Sequence, residues 1–144
     1  AQAGAIMGRL GGPAGDLLTV LEDEPCDRWP NIVRDELQRW VDADPGDRQA
    51  CWGALVDGQV DRQGAGVDVA ATWLGVLLEL PPAAVETLIR ALLRAWEEQD
   101  AGTQERFVAH VARALPRFGV PQWERLRATF NNLATELGQE PSWK

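Results

Sequence analysis

Residues 67–80 read VDVAATWLGVLLEL, and ten of these fourteen residues are apolar. At about 100° per residue of an α-helix, the four exceptions fall on one narrow stripe made of Asp68, Thr72, Gly75 and Glu79. A helix that is apolar on nearly every side is covered by its neighbours. Because the stretch is shorter than the ~20 apolar residues of a membrane span, it predicts a buried core helix.

Amphipathic patterns on both sides of this stretch predict further helices. We expect them at about 13–24, 30–42, 45–57, 82–99, 104–115 and 121–138. Asp44 and Thr103 are the expected N-caps of the third and sixth helices, and Gly58 and Gly138 the expected ends of the third and last. Residues 59–66 are predicted to form a polar loop. No segment alternates with the period of a strand, so the fold prediction is an all-α compact bundle of six to seven helices.

A single helical domain is expected over residues 13–138, since 144 residues can bury one core. A flexible N-terminal segment, residues 1–12, and a C-terminal tail, residues 139–144, flank it. Residues 1–6 precede the only methionine, Met7, as an expression scar or a processed N-terminus would.

A weak internal repeat appears when the sequence is shifted by 56 residues. Residues 34–40 then align with 90–96, placing Trp40 on Trp96, and Asp44 aligns with Asp100. The match is open to two interpretations, chance within a helical chain or two stacked three-helix repeats, residues 30–80 and 86–137.

The apolar faces of these helices define a predicted core. Its members are Leu37, Trp40, Leu55, Trp73, Leu74, Leu77, Leu88, Leu92, Leu93, Trp96, Phe107, Val111 and Phe130.

The charge of the chain is acidic and uneven. The formal net charge is −8. Residues 1–100 contain 18 acidic residues and eight arginines, whereas residues 101–144 contain four acidic and six basic residues. Such a balance argues against non-specific binding to nucleic acid or to anionic lipid. Arginine greatly outnumbers lysine, a bacterial-like composition. No signal peptide or transmembrane run is recognisable, so a cytoplasmic location and no membrane partner are expected.

The residues that often carry chemistry do not form a recognisable motif. The first residues of 42–53 resemble a calcium-binding loop. The rest does not, because Asp47 and Gly53 occupy the sixth and twelfth positions, where the loop needs Gly and Glu. His110, the only histidine, is interpreted as an edge residue that is hydrogen-bonded or solvated; a pair with Cys26 or Cys51 is left open. The sequence therefore predicts no catalytic residues, no metal site and no cofactor.

Asp68 and Glu79 lie on the same stripe of the central helix but eleven residues, or ~16 Å, apart. That separation is too large for a glycosidase-type carboxylate pair. We expect a solvated or arginine-paired edge.

Two groups of residues are candidate interaction surfaces. The first is a seam on the last helix with alternating spacings of three and four, made of Trp123, Leu126, Phe130, Leu133 and Leu137. It either binds a partner, including a second copy in a homodimer, or closes the chain's own core. The second is a basic patch made of Arg106, Arg113, Arg117, Arg125 and Arg127.

These observations favour a non-enzymatic all-helical protein–protein interaction module, acting as an adaptor, assembly subunit or regulator. The alternative is a nucleic-acid-associated protein, or a small helical subunit of a nucleoprotein assembly, that uses the C-terminal arginines.

Overall fold

The computed structural model describes residues 12–139, with the side chains of 17–62 and 65–139. Residues 1–11 and 140–144, which hold most of the predicted N-terminal segment and tail, lie outside the described residues. The described chain forms seven α-helices: α1 (Gly12–Asp23), α2 (Trp29–Asp42), α3 (Pro45–Val60), α4 (Gln63–Glu79), α5 (Pro82–Glu97), α6 (Ala101–Ala114) and α7 (Val120–Glu136). Short 3-10 turns cover Cys26–Arg28 and Leu115–Arg117, and no strand occurs between residues 12 and 139. The predicted all-α bundle is confirmed.

Helix ends follow the local sequence signals, with one N-cap misplaced. Pro45 and Pro82 are the first residues of α3 and α5. Proline lacks a backbone N–H, and at the first position of a helix this group would have no acceptor within the helix. Helix α6 begins at Ala101, two residues before the predicted cap, because the Thr103 backbone N–H donates to Oδ1 of Asp100 at 2.8 Å. The predicted Thr103 N-cap is therefore wrong, and Asp100 is the cap.

Gly138 ends α7 as predicted. Its φ of +80° is a left-handed conformation that favours glycine. The backbone N–H groups of Gly138 and Gln139 donate to the carbonyls of Thr135 and Ala134, at 3.0 and 2.8 Å. This pair of bonds is a Schellman motif, which satisfies carbonyls of the last turn.

The predicted loop over residues 59–66 is wrong. Helix α3 continues through Gly58 to Val60, and α4 begins at Gln63. The polar composition of this segment led us to expect an exposed loop, but Gln59 is fully buried and Val60 is 5% exposed. Because Gln59 bonds to side chains of two other helices, it extends α3 as a core residue.

The core lies where α3 and α4 cross the other helices. Helix α3 packs most extensively on α5 and α1, and α4 packs most extensively on α6 and α2. The buried apolar side chains of the described residues form a single cluster. Of the thirteen predicted core residues, all are buried except Trp96, which is half-buried in the last turn of α5.

A row of aromatic rings runs through this core. Ring centroids are 5.1 Å apart between Trp40 and Trp52, 5.3 Å between Trp52 and Trp73, and 5.9 Å between Trp73 and Phe107. The first two contacts are edge-to-face and the third is stacked, the geometries that aromatic quadrupoles favour. Trp52 was missed as a core residue, although residues 52, 55, 56 and 59 carry the helical spacing.

The same hydrogen bond recurs at positions 56 residues apart. Arg48 Nε donates to the Trp40 carbonyl at 2.8 Å, and Gln104 Nε2 donates to the Trp96 carbonyl at 3.0 Å. Each bond ties the start of one helix to the last turn of the helix before it. Superposition of the two halves stays a prediction.

No helix within residues 12–139 combines the length and the apolar character that crossing a membrane requires.

Candidate functional site

The predicted seam on α7 faces the chain's own core. Leu126, Phe130 and Leu133 are buried, and Trp123 and Leu137 are half-buried against the core cluster. Helix α7 packs on α5 and, less extensively, on α4. The seam is therefore covered intramolecularly, which agrees with the second of the two alternatives, a helix that closes the chain's own core.

The five arginines of the predicted basic patch lie on α6, α7 and the turn between them. Arg117 Nη1 is 2.8 Å from Oδ1 of Asp68, and the guanidinium of Arg127 lies 4.6 Å from the centre of the Trp123 ring. Arg106 and Arg113 lie two helical turns apart on α6, and Arg125 is exposed on α7. Two of the five guanidinium groups thus already have partners within the chain.

His110 is part of a buried polar network. The residue is 7% exposed, and its Nδ1 lies 3.4 Å from Nε2 of Gln59. The Gln59 Oε1 accepts a hydrogen bond of 2.9 Å from Trp73 Nε1. Burial lowers the pKa of His110, and the positive charges of Arg113 and Arg106 lower it further. The interpretation as an edge residue is therefore corrected: this is a hydrogen-bonded core histidine, favoured in its neutral form.

The two cysteines are free and lie in different environments. Cys26 is exposed and Cys51 is buried. Burial raises the pKa of the Cys51 thiol to about 11, with a smaller contribution from the negative charge of Asp47, so the thiol is protonated at neutral pH. Within the described part of the chain, neither sulfur forms a hydrogen bond with His110.

The carboxylates of the central helix form the expected arginine-paired edge. Asp68 pairs with Arg117, and Glu79 pairs with Arg34 of α2. Among the residues whose side chains are described, no three His, Cys, Asp or Glu side chains gather in a way that could hold a metal ion.

The surface feature that sequence analysis did not predict is a depression between α3 and α5. Its volume is about 190 Å³, and it is open to solvent. It is lined by side chains from the start of α3 and from one face of α5: Pro45, Arg48, Gln49, Thr87, Arg90, Ala91 and Arg94. We call it the α3–α5 depression. Three of the seven lining residues are therefore arginines, on the surface of an acidic protein.

The three arginines of the depression differ in how firmly they are held. Arg48 donates to the carbonyls of Trp40, Val41 and Ala43, at 2.8, 2.9 and 2.7 Å, and so closes the end of α2. Arg90 pairs with Glu136, the last residue of α7, at 2.7 Å, and with Glu86, one turn earlier on α5, at 3.7 Å. Arg94 is exposed and forms no hydrogen bond or ion pair with the described residues. Arg48 is thus structural, whereas Arg94 can contact a ligand without breaking an existing bond.

Part of this site was recognisable from spacing. Thr87, Arg90 and Arg94 lie at i, i+3 and i+7, which places them on one face of α5. The missing information was the neighbour of that face, because helical periodicity does not identify which helix packs beside it.

Comparison of the chain with protein-family models, curated proteins and solved structures finds no match.

Proposed function

We propose that this chain is a non-enzymatic helical interaction module that binds carboxylate side chains of a partner protein in the α3–α5 depression. The observation that carries the proposal is the presence of three arginines, Arg48, Arg90 and Arg94, in the lining of the depression. A guanidinium presents paired N–H donors that match the two oxygens of a carboxylate. Within the chain, Arg90 already binds one carboxylate in this way, that of Glu136.

The size of the depression supports a protein partner. Pockets for drug-sized molecules are usually enclosed and measure about 300–1,000 Å³. An open depression of about 190 Å³ is smaller, and it suits one or two side chains projecting from a larger surface. An adaptor, assembly subunit or regulator uses such a contact.

The charge around the depression suggests how the partner is built. A chain of net charge −8 repels a strongly acidic partner and attracts a basic one. The chemistry therefore fits a partner surface with a few carboxylates surrounded by basic residues. The carboxylates enter the depression, and the basic residues face the acidic surface around it.

The buried cysteine and the only histidine of the chain support a binding role. The Cys51 thiol is buried and protonated, and the His110 ring is buried with a lowered pKa. Neither group is therefore available to a substrate at the surface.

The test is fluorescence anisotropy with a labelled peptide of sequence KEEK, and with KQQK as the matched control. The wild type should bind KEEK more tightly than KQQK. Arg94→Ala should weaken KEEK binding by about fivefold, the upper value for an exposed ion pair. Arg125→Ala, which removes an exposed arginine elsewhere, should leave binding unchanged.

Equal binding of the two peptides, or equal effects of the two substitutions, would contradict the proposal. Other occupants give other results. Self-association that light scattering detects and Arg94→Ala abolishes would assign the depression to a second copy. Binding of a single-stranded oligonucleotide that Arg125→Ala with Arg127→Ala abolishes would favour the nucleic-acid alternative.

A further inference from the structure

The end of α7 lies beside the α3–α5 depression. Glu136 accepts two hydrogen bonds from Arg90, at 2.7 Å from Nε and 3.3 Å from Nη2. Both oxygens of its carboxylate are used, as in side-on arginine–carboxylate pairs. The edge of Arg90 that offers two parallel donors is therefore occupied by a residue of the same chain.

This pair is open to exchange. The side chains are 35% exposed for Arg90 and 52% for Glu136. Ion pairs with this exposure contribute little, because water solvates both charges in the paired and the separated state. A carboxylate from a partner can thus replace that of Glu136 without leaving a buried charge behind.

The chain keeps Glu136 close to the depression. Gln139 Nε2 donates to the Leu93 carbonyl at 3.1 Å, which ties the residues just after α7 to α5. The backbone of the last turn is fixed by Gly138. A displaced Glu136 side chain therefore remains tethered within reach of Arg90, where its effective concentration is high.

We propose that Glu136 is an internal competitor, which occupies Arg90 when the depression is empty and must release it when a partner carboxylate binds. This inference rests on the function proposed above. The competition lowers the affinity of the site for any carboxylate that uses Arg90. Arg94 lies one helical turn further along α5 and provides the first contact, after which the partner displaces Glu136.

The experiment compares the wild type with Glu136→Asp and Glu136→Gln in KEEK binding. Aspartate keeps the negative charge, but its shorter side chain withdraws from Arg90, so it separates competition from general charge repulsion. Both variants should bind KEEK about two- to fivefold more tightly than the wild type. Glu124→Gln, which removes an exposed carboxylate earlier on the same helix, should bind as the wild type does.

A second measurement follows the Glu136 carboxyl group in the wild type by NMR. Hydrogen bonds from Arg90 hold the pKa of Glu136 below its ordinary value, with further lowering by the charges of Arg90 and Arg94. On saturation with KEEK, that pKa should rise, because Arg90 has left the carboxylate.

The outcomes separate this inference from the proposed function. If Glu136→Asp binds like the wild type while Arg94→Ala binds weakly, the competition is wrong and the binding site remains. If Glu124→Gln gains as much affinity as Glu136→Gln, a general charge effect replaces the competition. If neither the wild type nor the Glu136 variants bind KEEK, both proposals are wrong.

Discussion

Gly66 shows how closely the helices approach around the buried histidine. A Cβ added at this position would lie 2.7 Å from both the Gln59 carbonyl oxygen and His110 Nδ1. Real Cβ atoms do not approach other atoms so closely, so a side chain here must push α3 or α6 away from α4. Gly46, at the start of α3, has no atom within 4 Å of the same added Cβ.

These two glycines give a matched pair of substitutions. Gly66→Ala should destabilise the protein by about 1–3 kcal/mol, the usual cost of overpacking a core. Gly46→Ala should leave stability unchanged or raise it by up to about 1 kcal/mol, because alanine favours the helix more than glycine does. Urea unfolding followed by tryptophan fluorescence measures both. A Gly66→Ala protein as stable as the wild type would show that α4 and α6 are further apart than described.

Single buried polar residues are where sequence analysis was least informative. Gln59 was placed in a loop and His110 on an edge, because polar side chains are usually exposed. Their burial depends on partners that come from α4 and from each other. Apolar positions were better predicted, since their spacing alone identifies the inner face of a helix.

At the scale of one helix, the packing of α7 distinguishes between two interpretations that the sequence left open: a seam that binds a partner, and a seam that closes the chain's own core. Its apolar spacing predicts a helix with one contact face, and the structure places that face on α5 and α4. Periodicity could identify the face but not what covers it, because the packing partner lies far away in sequence. The predicted end of α3 was wrong for the same reason. The helix continues to Val60, because residues 59 and 60 are buried by packing partners that lie far away in sequence.

Substitution on this helix tests its packing. Phe130 is 1% exposed, so Phe130→Glu removes a large core side chain and buries a carboxylate. Loss of the ring alone costs about 3–5 kcal/mol, and the buried charge adds to that. We expect the variant to lose cooperative unfolding even in dilute solution, as measured by circular dichroism. Ala128→Glu, on the exposed side of α7, is the control and should unfold like the wild type.

The opposite result would reverse the assignment of α7. A folded, monomeric Phe130→Glu protein, beside a wild type that light scattering shows to be larger, would make the seam an interface between molecules.

At the scale of the whole molecule, the distribution of charge matters more than its sum. The net charge of −8 and the five C-terminal arginines are both evident in the sequence. The site that we propose does not use those arginines, although the net charge influences which partner the chain attracts. It arises because packing brings the start of α3 beside one face of α5, and the end of α7 beside both Arg90 and Leu93. Which helices lie side by side depends on tertiary packing, so the complete site could not be predicted from the sequence.

Amide NMR shifts during titration of the wild type with KEEK test the central claim most directly, because they locate the bound peptide on the chain. We expect the largest shifts over residues 46–49 of α3 and 87–94 of α5, with a smaller set around Glu136. The KQQK control should produce none of them. Shifts concentrated instead on α6 and the first turns of α7, or no shifts at a peptide concentration that saturates the anisotropy signal, would contradict the account.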